Sequence, residues 1–320
     1  MLDYAKVPSP AYVLDEARLR RNLELIQRVQ LESGASVILA LKGFSMWRVF
    51  PLVKQYLAGA TASSLHEARL IFEEMGVPAH TYSPAYLPAE FEEVMGYSSH
   101  ITFNSIAQYA RYKEQLQHAK HRISPGLRVN PEFSVVETDL YNPSAPGSRL
   151  GEMVENLGGK MPAGIEGLHI HTLCESSAED LENLIQSVEQ RFGAFIPQLQ
   201  WINFGGGHLM TRQAYDVERL IKVLLAFRAR HPQLEVILEP GSAIAWETGE
   251  LVTTVLDVIN SRGIKTAILD VSFTAHMPDT LEMPYRPKVL GATDPVKGKP
   301  TYRLGGSSCL AGDFMTEYSF

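Results

Sequence analysis

Val37-Ile38-Leu39-Ala40-Leu41-Lys42-Gly43 is the stretch from which the architecture is read. A strand with one solvated face alternates apolar and polar residues, whereas this run is apolar throughout until Lys42. It therefore reads as a strand buried on both faces, as in a parallel sheet covered by helices. Upstream, Ala11 to Leu14 is a short strand, and Asp15 can cap a helix in which Leu19, Leu23 and Ile26 recur at helical spacing. Downstream the alternation continues with a helix near Val49 to Leu57, a strand at Gly59 to Ala62, a helix from Ser64 to Met75 and a strand near Ala79 to Ser83. Further apolar pieces follow at Ile101 to Phe103, Gly126 to Val129, Gly164 to His171, Trp201 to Phe204 and Val236 to Leu238, separated by helical stretches. About eight strand-like runs alternating with helices predict parallel βα units. No dinucleotide fingerprint opens the series, so a (β/α)8 TIM-like barrel fits better than an open sheet.

The rhythm changes after Glu239. From Leu251 onward Val, Thr and Ile runs are broken by Gly and Pro, with no evident amphipathic helix. The expectation is an α/β barrel over residues 15–248 and a second, mostly β domain formed by 1–14 and 249–320.

Composition bounds the function classes. Of 320 residues, 45% are hydrophobic and 20% charged, which is globular composition. Twenty-nine basic against 36 acidic residues give a net charge of −7, so no overall cationic field attracts nucleic acid or anionic lipid. No apolar run approaches the roughly 18 residues of a membrane span, and Met1 to Pro10 lacks the pattern of a secretory signal. Two cysteines, Cys174 and Cys309, make neither a disulfide framework nor a zinc site, which points to a reducing cytoplasm.

In a barrel the chemistry sits at the C-terminal ends of the strands. Lys42 there is a candidate nucleophile, because desolvation lowers a lysine pKa, although a lysine that merely snorkels from the strand end fits the same position. Gly205-Gly206-Gly207, ahead of a helix that includes Val217 to Arg228, can bring backbone amides to a phosphate, assisted by the helix end; alone it is also a tight turn. Glu239, followed by Pro240 and Gly241, closes a buried strand with a carboxylate that needs a cationic ring nitrogen or an arginine such as Arg128. His169 and His171 lie on one strand face, so a metal pair is conceivable. In barrel hydrolases that pair precedes the lysine, and here it follows, so no metal is expected.

Taken together, these residues resemble the pyridoxal-phosphate decarboxylases of the alanine racemase fold, from about Ala11 to Asp313. Within that family the sequence is most similar to the carboxynorspermidine (carboxyspermidine) decarboxylases. The resemblance is carried by Ala40 to Phe44, Ser148 to Gly151, His169-Ile170-His171-Thr172-Leu173-Cys174-Glu175, Glu239 to Ala243 and Gly306-Ser307-Ser308-Cys309-Leu310-Ala311-Gly312-Asp313. Leu173 and Cys174 replace the Gly-Ser of the ornithine and diaminopimelate enzymes, and Leu310 replaces an acid that reads the far end of their substrates. The resemblance implies pyridoxal 5'-phosphate held by Lys42, His171 stacked on its ring, Gly205, Gly206, Gly207 and Gly241 at its phosphate, Glu239 at the ring nitrogen and Arg128 nearby. It implies Cys309 as proton donor across a homodimer interface, and a polyamine substrate met by Asp270, with Asp313 and His276 as further candidates for which surface charge is the alternative. The family continues beyond the late cysteine motif, so the β domain is expected to be incomplete at its C-terminus. Another basic amino-acid decarboxylase of this fold, such as diaminopimelate decarboxylase, and a non-catalytic pyridoxal-binding relative are the competing readings.

Overall fold

The computed structural model describes residues 3–136, 138–283 and 285–320. The chain divides into two units, Glu16–Glu247 and Met1–Asp15 with Thr248–Phe320. The second has a 3-10 turn at Tyr4–Lys6 followed by strand β1 (Ala11–Leu14). The first holds β2 (Ser36–Ala40), β3 (Gly59–Ala62), β4 (Ala79–Tyr82), β5 (Ser98–Phe103), β6 (Ser124–Arg128), β7 (Gly167–His169), β8 (Trp201–Asn203) and β9 (Glu235–Leu238). These eight close into a parallel barrel in sequence order, with Ile38 opposite Gly59, Arg128 opposite His169, and Val37 opposite Leu238 at the closure. The expected barrel is thus present.

Period two along each strand stacks the inward side chains in layers. Ile38, Ile237 and Trp201 cluster at mid-height, and the Trp201 ring occupies the space left by two glycines: a Cβ on Gly126 or Gly167 would lie 2.3 or 2.0 Å from it. His80 and His100 stand at the same level, their rings 3.9 Å apart. One step up each strand come Ala40, Thr61, Tyr82, Arg128, His169, Asn203 and Glu239. Helices cover the outside through apolar stripes: Glu16–Ser33 buries Leu19, Leu23, Ile26 and Val29, and Ala178–Phe192, opened by a Ser177–Asp180 capping box, buries Leu181, Leu184, Ile185 and Val188.

Two expected helices differ. Val49 to Leu57 forms a 3-10 turn and a four-residue helix at Phe50–Val53, with Pro51 in its first turn. Ser64 to Met75 is helical at Leu65–Leu70 and widens to a π turn over Ile71–Met75, stopped by Gly76 at φ 67°.

In the other unit, β1 pairs antiparallel with β10 (Gly249–Val252). A second sheet runs β11 (Val255–Ser261), β12 (Ile264–Leu269), β13 (Thr301–Gly305), β14 (Phe314–Ser319), with β12 and β13 parallel. Ala267, Leu269, Val271, Phe273, Leu304, Met315 and Tyr318 form its core. Two four-residue helices, Phe273–His276 and Asp279–Glu282, interrupt an otherwise β unit, so the expected mostly β composition holds. No helix among the described residues is long and apolar enough to cross a membrane.

Candidate active site

A small pocket opens at the C-terminal mouth of the barrel. Its walls are supplied strand by strand: Ala40 and Lys42 from β2 and its extension, Thr61 and Ser63 from β3, Tyr82 from β4, Arg128 from β6, His169 and His171 from β7, and Glu239 from β9. Lys42, Arg128, His171 and Glu239 are therefore brought together.

Glu239 is buried, its Oε2 accepting from His169 Nε2 at 3.2 Å and its Oε1 from Asn203 Nδ2 at 2.7 Å. Burial works against its ionised form, but His169 and Asn203 prevail and hold the carboxyl well below its ordinary range. Burial lowers the pKa of His169, so a neutral imidazole donates to an ionised carboxylate. Arg128 was the alternative to a cationic ring nitrogen as the partner of Glu239. Its Nη2 instead donates to the His171 carbonyl at 2.9 Å, and its guanidinium lies 4.7 Å from the Tyr82 ring centre. The carboxylate is thus bonded by two neutral donors and retains a charge that a cationic ring nitrogen would match.

Lys42 Nζ lies 3.0 Å from His171 Nε2. Enclosure in the barrel mouth lowers its pKa and Arg128 adds to that, while Glu239, Glu67 and Cys174 oppose it. On the far side of His171, the Gly206 N–H donates to Nδ1 at 2.8 Å. The glycine turn is closely packed: Gly207 has φ +88°, and a Cβ there would lie 2.3 Å from the Leu173 carbonyl oxygen. Gly241 also packs closely on Gly43, where a Cβ would meet the Gly43 Cα at 2.8 Å. The helix expected to assist this turn starts at Val217, and its cap Asp216 accepts from one amide of its first turn, Arg219 N–H.

Cys309, Asp270, Asp313 and His276 belong to the other unit. Cys309 is exposed in the loop between β13 and β14. Asp313 braces that loop, accepting from Phe273 N–H at 2.8 Å and Ser308 Oγ at 2.6 Å. Asp270 accepts from Ser9 Oγ, Thr253 Oγ1 and Thr254 N–H. His276 Nδ1 meets Ser272 N–H at 3.1 Å. Sequence reasoning missed Tyr82, Thr61, Ser63 and Asn203; a search for polar residues closing apolar runs finds Asn203 after Trp201-Ile202. No group of His, Cys, Asp and Glu among the described residues is arranged to hold a metal ion.

An amine and a buried unbalanced carboxylate around one pocket, with a glycine turn bonded to His171 of its wall, fit an aldehyde-bearing, phosphorylated pyridine. The family model described as pyridoxal-dependent decarboxylase, C-terminal sheet domain, matches residues 11–319. The carboxyaminopropylagmatine decarboxylase of Synechocystis sp. is 52% identical over 316 residues, 99% of this chain and 81% of that one. The carboxynorspermidine/carboxyspermidine decarboxylase of Campylobacter jejuni is 44% identical over 328 residues, covering 99% and 84%. The crystal structure of carboxynorspermidine decarboxylase complexed with norspermidine, from Campylobacter jejuni, superposes with a TM-score of 0.88 at 42% identity, covering 98% of this chain and 84% of that one. A barrel mouth so furnished, and matches over nearly the whole chain, place the protein in the pyridoxal-dependent decarboxylases, with pyridoxal 5'-phosphate as its cofactor.

Proposed function

We propose that the chain removes the α-carboxylate of carboxynorspermidine and carboxyspermidine, giving norspermidine and spermidine, with the barrel-mouth pocket as its cofactor site. The convergence of Lys42, His171, Arg128 and Glu239 on one pocket carries this reading. Lys42 binds the cofactor covalently and His171 covers a face of its ring. Gly205, Gly206, Gly207 and Gly241 border its phosphate, with the Gly206 N–H remaining on His171 Nδ1, and Arg128 lies beside it. The bound cofactor supplies a ring that accepts the electron pair left when the carboxylate departs as carbon dioxide. Glu239, kept ionised by Asn203 and His169, holds a proton on the ring nitrogen. Cys309, from the partner subunit of a homodimer, delivers a proton to the carbon that has lost its carboxylate. Asp270 faces the distant ammonium groups of the substrate; Asp313, whose carboxylate accepts from Phe273 N–H and Ser308 Oγ, and His276 are the weaker choices. Both cysteines lie exposed without a disulfide, in keeping with a reducing cytoplasm.

A second substrate is favoured by the 52% identity to a carboxyaminopropylagmatine decarboxylase. That name describes the same amino-acid head on a chain ending in a guanidinium, so the two readings share the pocket and differ only at the distal end. The test is carbon dioxide release from carboxynorspermidine, carboxyspermidine and carboxyaminopropylagmatine, together with borohydride reduction and peptide mass spectrometry. We expect release from at least one of the three and the pyridoxyl group on Lys42. Release from diaminopimelate alone would move the chain to another decarboxylase class. An adduct on Lys54 with Lys42 unmodified would sink the assignment of the site, and binding without any release would favour a non-catalytic relative.

A further inference from the structure

His171 is held by contacts at opposite edges of its ring, and together they fix the protons of two residues. At one edge Gly206 N–H lies 2.8 Å from Nδ1. A backbone amide can only donate, so Nδ1 must offer its lone pair, and the single proton of a neutral imidazole is then on Nε2. A doubly protonated His171 would set Nδ1–H against the amide and is excluded. At the other edge Nε2 lies 3.0 Å from Lys42 Nζ. An ammonium has no lone pair, so Nε2–H opposite a protonated lysine would confront one donor with another. The contact is a hydrogen bond only when Lys42 is the free amine and accepts.

We propose that the Gly206 amide, acting through His171, holds Lys42 as an unprotonated and aimed amine, which makes His171 a positioning residue for attachment of the cofactor aldehyde. This rests on the reading that Lys42 takes that aldehyde. The hydrogen bond from Nε2–H breaks as the free nitrogen gives its one lone pair to the aldehyde carbon; its two hydrogens leave with the carbonyl oxygen as water, and a carbon–nitrogen double bond remains. The surroundings act in the same direction on balance. Enclosure favours the neutral amine, as does Arg128 of β6, against Glu239 of β9, Glu67 of the helix after β3, and Cys174. Enclosure likewise keeps His171 neutral, reinforced by Lys42, Arg128, His169 and His208.

The test uses the full chain, cleared of cofactor by dialysis against hydroxylamine and given short pulses of acetic anhydride across a pH series, with each lysine read by mass spectrometry. We expect Lys42 labelling to level off at a pH below the ordinary lysine range. His171→Phe keeps a flat ring but loses both nitrogens; the midpoint of its Lys42 labelling should move up by about one pH unit, the tenfold that one intramolecular hydrogen bond supplies. An unchanged pattern at all other lysines shows that the variant is folded, and His171→Gln, whose amide still donates, should reverse part of that shift. Equal Lys42 profiles in the wild-type and His171→Phe chains would overturn the inference. So would nitrogen-15 spectra of the histidine-labelled wild-type chain showing the His171 proton on Nδ1, a measurement that needs no variant. Equal profiles with the pyridoxyl adduct on Lys42 overturn this inference alone; an adduct on another lysine overturns the site assignment and the aldehyde role with it.

Discussion

Asn203 and Glu239 show how much chemistry one hydrogen bond can carry. Replacing Asn203 by Leu leaves Glu239 Oε1 buried without its 2.7 Å donor. An unsatisfied buried acceptor costs about 1–3 kcal/mol, so the urea midpoint should fall accordingly at neutral pH. The pH dependence has a definite sign. The carboxyl of Glu239 is lowered from 4.5 to about 2 in the folded chain, so its contribution to stability is complete above the unfolded value and is lost as pH falls through the folded one. With Asn203→Leu the folded value rises, the window narrows and the midpoint becomes less sensitive to acid across it; an unchanged profile would show that His169 alone holds the charge. Glu239→Gln keeps the shape and removes the charge. Lys42 should still take the cofactor while carbon dioxide release drops by about 100-fold or more, as when a preorganised electrostatic partner is lost. Lys42 and Glu239 were legible in the sequence because each ends an apolar run. The partners of Glu239 were not, because the pairing arises only when β7, β8 and β9 lie side by side at one height in the barrel.

At the scale of the element, the barrel is set by what its strands leave out as well as by what they bury. Gly126 and Gly167 lie on adjacent strands, and the Trp201 ring fills the space over both, its Nε1 donating to Ser124 Oγ at 2.8 Å. A Cβ on Gly167 would lie 2.0 Å from the ring, and on the Gly126 side the ring already fills the space a Cβ would take. Gly167→Ala should therefore destabilise the chain by about 1–3 kcal/mol through overpacking, and a smaller ring in the double variant with Trp201→Phe should recover part of the loss in urea unfolding. If the single variant matched the wild type, the ring would have another way out. The eight strands were readable as apolar runs because parallel strands are covered on both faces. The His80–His100 pair at mid-barrel was not, since two half-exposed histidines in period with apolar neighbours carry no signal of facing each other. The helix after β2 was overestimated, and the π form of the last turn after β3 was not seen, because apolar spacing continues where the hydrogen bonding changes: after Val53 the bonds tighten, Gln55 to Leu52 and Tyr56 to Val53, and over Ile71–Met75 they widen to a π turn.

On the scale of the whole molecule, the amine and the thiol assigned to the reaction lie in different units of the chain, Lys42 in the barrel and Cys309 in the β unit. The β unit also presents β11 with all seven residues exposed, among them Val255, Leu256, Val258 and Ile259, an apolar edge of the kind that association covers. A homodimer with shared sites makes a prediction that a site within one chain cannot. Lys42→Ala and Cys309→Ala should each be inactive alone. In a mixed dimer, the barrel of the Lys42→Ala chain lacks its amine and faces a chain without the thiol, so that site is dead. The barrel of the Cys309→Ala chain keeps Lys42 and receives Cys309 from its partner, so that site is whole. Random exchange makes half of the dimers mixed, and one live site in each gives about a quarter of the wild-type rate, the statistical result of two-fold symmetry. If each site instead drew both residues from one chain, neither site of the mixed dimer would be complete and the mixture would stay inactive. Activity after mixing, measured alongside subunit exchange by native mass spectrometry, therefore decides between the two arrangements: exchange without recovery would return Cys309 to the chain that carries it.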